Sequence, residues 1–171
     1  MNLQTEILKA DFKDQAVFVA EKVIDDEAKF AELMTLFFSV DIRTCQQAAW
    51  IVSHCADKNP SLVMPYIDKL IKNLYNEVGD ATKRSTVRVL QLVEIPEALW
   101  GEIIEICFRY LTGKEAVAIK VFSMTVLYNI SLKVPEITTE LKVVIENQLP
   151  YGSAGFKSRG KKILAKLSKG I

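Results

Sequence analysis

Apolar residues recur at three- and four-residue intervals along almost the whole chain. No stretch shows the alternation of period two that a half-buried strand requires. Leu8, Phe12, Ala16, Val19 and Val23 form one stripe, and Phe30, Leu33, Met34, Phe37 and Phe38 form a second. Asp41 is placed to cap a third helix carrying Ala48, Ile51, Val52 and Cys55, because a short side-chain acceptor satisfies the free N–H groups of a first turn. Pro60 opens a fourth helix with Val63, Ile67, Leu70, Ile71 and Leu74 inward, and Gly79 is expected to close it from the C′ position. The spacing then predicts a helix over 81–94, one from Pro96 to Gly113, one over Ala116–Ser131, one from Pro135 and a last one capped by Ser153. Lys120 is the only charge within Ala116–Ser131, so that helix is expected to be buried on more than one side. The count is about nine helices joined by short turns.

The pattern repeats. Pro60, Pro96 and Pro135 are spaced by 36 and 39 residues, and each starts the second helix of a pair. Val63, Ile67, Leu70 and Leu74 after the first proline correspond to Leu99, Ile103, Ile106 and Tyr110 after the second. A third copy keeps Ile145 and Leu149 but has Thr138 and Lys142 at the two earlier positions. A helical hairpin repeated at this length buries its apolar face on the next copy, which is the logic of an α-solenoid.

Through Ala48–Pro60, Lys83–Pro96, Met124–Pro135 and the closing Ser153-Ala-Gly-Phe-Lys-Ser-Arg-Gly-Lys, the chain resembles a short HEAT-like repeat protein over about residues 40–168. It is similar to small single-domain bacterial proteins of that type. The resemblance implies an all-α fold, a right-handed α-α superhelix of the HEAT or armadillo kind, in four to five hairpin repeats. It implies one domain over 1–171: an N-terminal capping hairpin at 1–40, three central hairpins at 41–150 and a basic C-terminal capping helix at 151–171.

Chemistry is sparse by comparison. The single histidine, His54, rules out any two-histidine metal motif, and the reading is a partly buried helical residue paired with a neighbour. Cys45, Cys55 and Cys107 form no CxxC pair and read as buried free thiols of a cytoplasmic protein. Glu102 with Glu105, and Glu136 with Glu140, share helix faces but read as solvated surface. Ser61, Met64 and Pro65 are similar to a flexible loop of the fumarase superfamily, yet Ile67 stands where that loop carries lysine, and no lyase activity is expected. No glycine-rich phosphate loop is present, so no cofactor, metal or catalytic set is expected. No apolar run approaches the ~20 residues of a spanning helix.

Charge changes the picture. The chain carries 22 basic and 21 acidic residues, a net charge of +1 that argues against a surface built throughout for nucleic acid. The distribution is uneven: residues 1–80 hold 8 basic and 13 acidic groups, whereas 151–171 hold six basic and no acidic ones. Arg159, Lys162 and Lys166 share one face of the last helix, and Arg84 and Arg88 lie one turn apart upstream. The expected function is a non-enzymatic interaction or scaffold module whose partner is another protein. The candidate contacts are Arg84, Arg88, Lys157, Arg159, Lys161, Lys162 and Lys166. The alternative is nucleic-acid binding, through a fold shared with HEAT-like alkylpurine DNA glycosylases. The bland account of the basic helix is a polar cap on the end of a solenoid.

Overall fold

Short polar side chains open the helices where the chain offers them. Asn2 accepts from the Thr5 N–H at 3.1 Å, Asp26 from Lys29 at 3.0 Å, Asp41 from Thr44 at 2.8 Å and Ser153 from Phe156 at 3.3 Å. Each satisfies a donor that has no partner inside its own helix. The computed structural model describes residues 2–11 and 13–170. Among these residues there are ten α-helices and no strand: α1 (Leu3–Leu8), α2 (Lys13–Val23), α3 (Glu27–Phe37), α4 (Ile42–Lys58), α5 (Ile67–Asn73), α6 (Asp80–Leu90), α7 (Trp100–Thr112), α8 (Val117–Ser131), α9 (Thr138–Gln148) and α10 (Ala154–Lys169).

The tenth helix arises because the first stripe is two helices. The Lys9 and Ala10 amides turn back to the carbonyls of Glu6 and Ile7 and close α1. Gln15 then reaches back to accept from the Asp11 amide at 3.0 Å, which fixes a new helix start. Phe12, placed in that stripe, lies outside the described residues.

The prolines act as expected, with one refinement. Pro60–Tyr66 and Pro135–Ile137 are 3₁₀ turns leading into α5 and α9, and Pro96 caps a similar turn, Glu97–Leu99, ahead of α7. The first is longest because Pro65 lies inside it, and a proline can neither donate to the carbonyl four residues back nor leave its predecessor free to be α-helical. Gly79 does not close the preceding helix. α5 already unwinds through three-residue turns at Leu74, Tyr75 and Asn76, and Gly79, with φ −71° and ψ 165°, is the extended residue before α6. Gly113 does stop α7: its amide bonds the Arg109 carbonyl at 3.0 Å, and a Cβ there would meet the same oxygen at 2.8 Å.

The chain forms two compact units, Met1–Glu94 and Ile95–Ile171. In the first, α4 packs against α1, α2, α3 and α6. It can do so because Ala48, Ala49, Ser53 and Ala56 are small, and all four are buried. The Ser53 hydroxyl donates to the Ala49 carbonyl at 3.1 Å, so its burial leaves no free donor. Leu3, Ile7, Val19, Phe30, Leu33, Phe37, Ile51, Val52, Val63 and Leu70 complete that core. Each large apolar side chain of this kind contributes roughly 1.5–3 kcal/mol on burial.

In the second unit α8 is the shared helix, touching α7, α9 and α10. Gln148 on α9 donates to the Leu111 carbonyl at 2.9 Å, joining α9 to α7. Buried Gly160 lets α10 approach α9: a Cβ there would lie 3.0 Å from Ile145 Cγ2 and 3.2 Å from Leu149 Cδ2. Gly160→Leu is therefore expected to destabilise by about 1–3 kcal/mol through overpacking. Gly101, exposed in α7 with nothing within 4 Å of an added Cβ, is the control. Gly101→Ala should stabilise by about 0.4–1 kcal/mol. Urea denaturation of both variants checks the pair, and equal midpoints would contradict the packing argument.

Candidate functional site

The last helix has two flanks around a buried stripe. Phe156, Gly160, Ile163 and Leu167 point inward at helical spacing. Arg159, Lys162 and Lys166 follow one edge of that stripe and Lys157 and Lys161 the other. On the first flank α10 lies beside α8. The contacts between the two climb together along both helices: an added Cβ at Gly155 would be 3.6 Å from Val117, Arg159 reaches Thr125, and Lys166 reaches Tyr128. The two helices thus run side by side in the same direction.

What the cations meet there is unusual in kind. Arg159 Nη1 donates to Thr125 Oγ1 at 2.5 Å, and that hydroxyl donates onward to the Val121 carbonyl at 3.3 Å. Lys166 Nζ lies 5.2 Å from the centre of the Tyr128 ring, within cation–π range. Lys162 is exposed between them. Among the described residues no carboxylate pairs with any of the three. The strip ends at a cleft by the starts of α8 and α10, lined by Glu115, Lys120, Gln148 and Ser153 among others, where an acid and a base occur together.

The first unit treats its cations differently. Arg88 on α6 is ion-paired with Asp57 on α4, and Lys58 on α4 pairs with Glu21 on α2 at 3.0 Å. Arg43 on α4 pairs with Asp11 at 3.2 Å. These bridges tie α4 to its neighbours and consume the charge of Arg88. Arg84, one turn away, is exposed.

A family model described as a HEAT repeat domain matches residues 3–167. The chain belongs to the HEAT repeat domain family. No curated protein and no solved structure matches it. The helical hairpins of this HEAT repeat chain carry no helix long and apolar enough to cross a membrane, among the described residues. Nor do those residues group three or more His, Cys, Asp or Glu where they could hold a metal ion.

Of the seven candidate contact residues, the HEAT repeat fold brings Arg159, Lys162 and Lys166 together on one flank. Lys157 and Lys161 are on the opposite flank of the same helix, and Arg84 and Arg88 belong to the other unit. Thr125 and Tyr128 on α8 and Leu132 at its C-cap were not among the candidates. Their signal is the row Val121, Thr125, Tyr128, Leu132 at offsets 0, 4, 7 and 11, hidden in a helix that reads as apolar nearly all round.

The titratable groups of the interior are quiet. Burial pushes the Cys55 and Cys107 thiols up to about 12, and Tyr110, likewise buried, to about 12. Cys45, half-buried, donates to the Phe37 carbonyl at 3.0 Å and lies 3.0 Å from Thr82 Oγ1. His54 is half-buried beside Trp50, and its Nε2 is buried without the neighbour expected to pair with it, since the nearest cation and anion, Arg88 and Asp57, engage one another. Desolvation and then the Arg88 charge hold the imidazole below its usual 6.5, with Asp57 opposing and Lys13 and Lys58 adding slightly. A depressed histidine binds its proton more readily in the unfolded chain, so its contribution is intact above 6.5 and is lost as pH falls below it. His54→Asn removes this loss. The stability of the variant relative to wild type should rise between about pH 8 and pH 5, read from urea midpoints. A difference that stays constant with pH would contradict it.

Proposed function

We propose that this HEAT repeat chain is a non-enzymatic interaction module, and that the flank of α10 beside α8 holds an acidic segment of a partner protein. The observation that carries the reading is what Arg159 and Lys166 contact: a threonine hydroxyl and an aromatic ring, which orient the cations without neutralising them. An incoming carboxylate thus finds positive charge already in position. It would find none at Arg88, whose charge Asp57 takes up. Partly exposed cations of this kind also lose little hydration on pairing, so they favour encounter and choice of partner.

The non-enzymatic part rests on side-chain chemistry. Thiols raised to about 12 are poor nucleophiles, and the one histidine makes no hydrogen bond through Nε2. A protein partner is preferred to nucleic acid because a net charge of +1 and a row of three cations on this flank offer few phosphate contacts.

Fluorescence anisotropy with a labelled polyglutamate peptide and a labelled DNA duplex tests the reading. The peptide is expected to bind, with affinity falling as salt is raised. Lys162→Glu combined with Lys166→Glu should weaken it about tenfold or more, while the melting temperature falls only slightly, by the loss of the exposed Lys166 contact with Tyr128 and of a favourable charge near the helix C-terminus. Unchanged peptide affinity in the variant would overturn the site. DNA binding tighter than peptide binding, with a steep salt dependence, would replace the protein partner by nucleic acid.

A further inference from the structure

We infer that the segment held on this flank is an amphipathic acidic helix, lying along the seam between α8 and α10. The inference rests on the acidic-partner reading above and adds the shape and the apolar half of the ligand. Two rows lie side by side where α10 packs on α8. On α10 the cations Arg159, Lys162 and Lys166 recur at offsets 0, 3 and 7. On α8, Val121, Thr125 and Tyr128, with the C-cap Leu132, recur at offsets 0, 4, 7 and 11. Arg159 against Thr125 and Lys166 against Tyr128 fix the register of the rows and show that they run in the same direction.

The α8 row is not merely a wall. Leu132 at its end is 63% exposed, although it still has helical backbone angles and continues the line of Thr125 and Tyr128. Tyr128 and Val121 are half-buried, so each offers part of an apolar surface. Polyglutamate would use the cations and leave this row uncovered. A ligand that uses both must show carboxylates to one side and apolar groups to the other.

Backbone geometry selects the helix. Successive side chains of an extended segment point to opposite faces, so carboxylates turned to the cations would send the alternating apolar residues out to solvent. A helix instead carries neighbouring stripes, and an acidic stripe beside an apolar one can face two rows lying next to each other. The cation row from Arg159 to Lys166 spans about 10 Å at 1.5 Å per residue. A ligand of two helical turns covers it. Complementarity of charge sets the acidic stripe, and the exposed leucine sets the apolar one.

The test uses three labelled peptides with the full chain. One is a helix of about twenty residues, long enough to form alone, with Leu at three- and four-residue intervals and Glu flanking them. The second has the same composition scrambled, and the third is polyglutamate. The amphipathic peptide should bind at least about tenfold more tightly than the scrambled one. Leu132→Ser, at an exposed site and checked by its melting temperature, should weaken the amphipathic peptide about fivefold or more and leave polyglutamate unchanged. If the amphipathic and scrambled peptides bind alike and Leu132→Ser has no effect, while Lys162→Glu with Lys166→Glu still weakens all three, the helix inference fails and acidic docking stands. If none of the three binds, both fail.

Discussion

Everything in each unit depends on one helix that is touched on three or more sides. A helix so enclosed has no solvent face wide enough for ordinary polar residues, and every buried hydroxyl on it needs an acceptor of its own. In the first unit α4 meets this with alanines and with Ser53, whose hydroxyl bonds back into the helix. In the second α8 does so only in part: Ser131 donates to the Tyr128 carbonyl at 2.7 Å and half-buried Thr125 donates to Val121, whereas the buried Ser123 hydroxyl has only the Cys107 thiol beside it. Small side chains let neighbouring helices approach closely, and the approach brings long charged side chains on those neighbours over the narrow strip that is left.

The two units differ in what fills that strip. Around α4 it holds carboxylates, and three ion pairs cross to the neighbouring elements. Around α8 it holds a hydroxyl and a phenol ring. The same packing problem thus yields a self-neutralised face in one unit and an electropositive one in the other. The composition behind this is simple: α10 contains no acid, and Thr125 and Tyr128 supply none.

Much of the architecture could be read from spacing, because helices with one buried stripe advertise it at every third and fourth position. Asp41 and Ser153 are capping residues in the sequence and caps in the structure. The failures occur where a local signal competes with a weaker one. Gly79 looks like a helix stop, but Leu74–Asn76 had already unwound the chain. Leu8 to Val23 looks like one stripe, but Gln15 reaching back to Asp11 starts a second helix. At the candidate site the basic half was legible as a run of lysines and an arginine. The α8 half was not, because in a helix that is apolar almost throughout, periodicity does not mark which apolar residues stay uncovered. Leu132 has the same letter as buried Leu127, but it lies on a different face and just past the end of α8, where it is left exposed.

Capping alone does not account for the sign of the last helix. A terminal helix needs a polar outer face, and alternating acids and bases supply one while forming stabilising pairs four residues apart. Lys162 and Lys166 instead repel at that spacing, by about 0.2–0.5 kcal/mol. The helix dipole favours cations only near the C-terminus, which covers Lys166 and Lys169. It does nothing for Arg159 in the second turn and opposes Lys157 at the end of the first. Stability would therefore favour a mixed face, and the absence of any acid from 151–171 runs against it. A uniform positive flank held in place by a hydroxyl and a ring is what the proposed docking of an acidic segment would use, at a small expense to the fold.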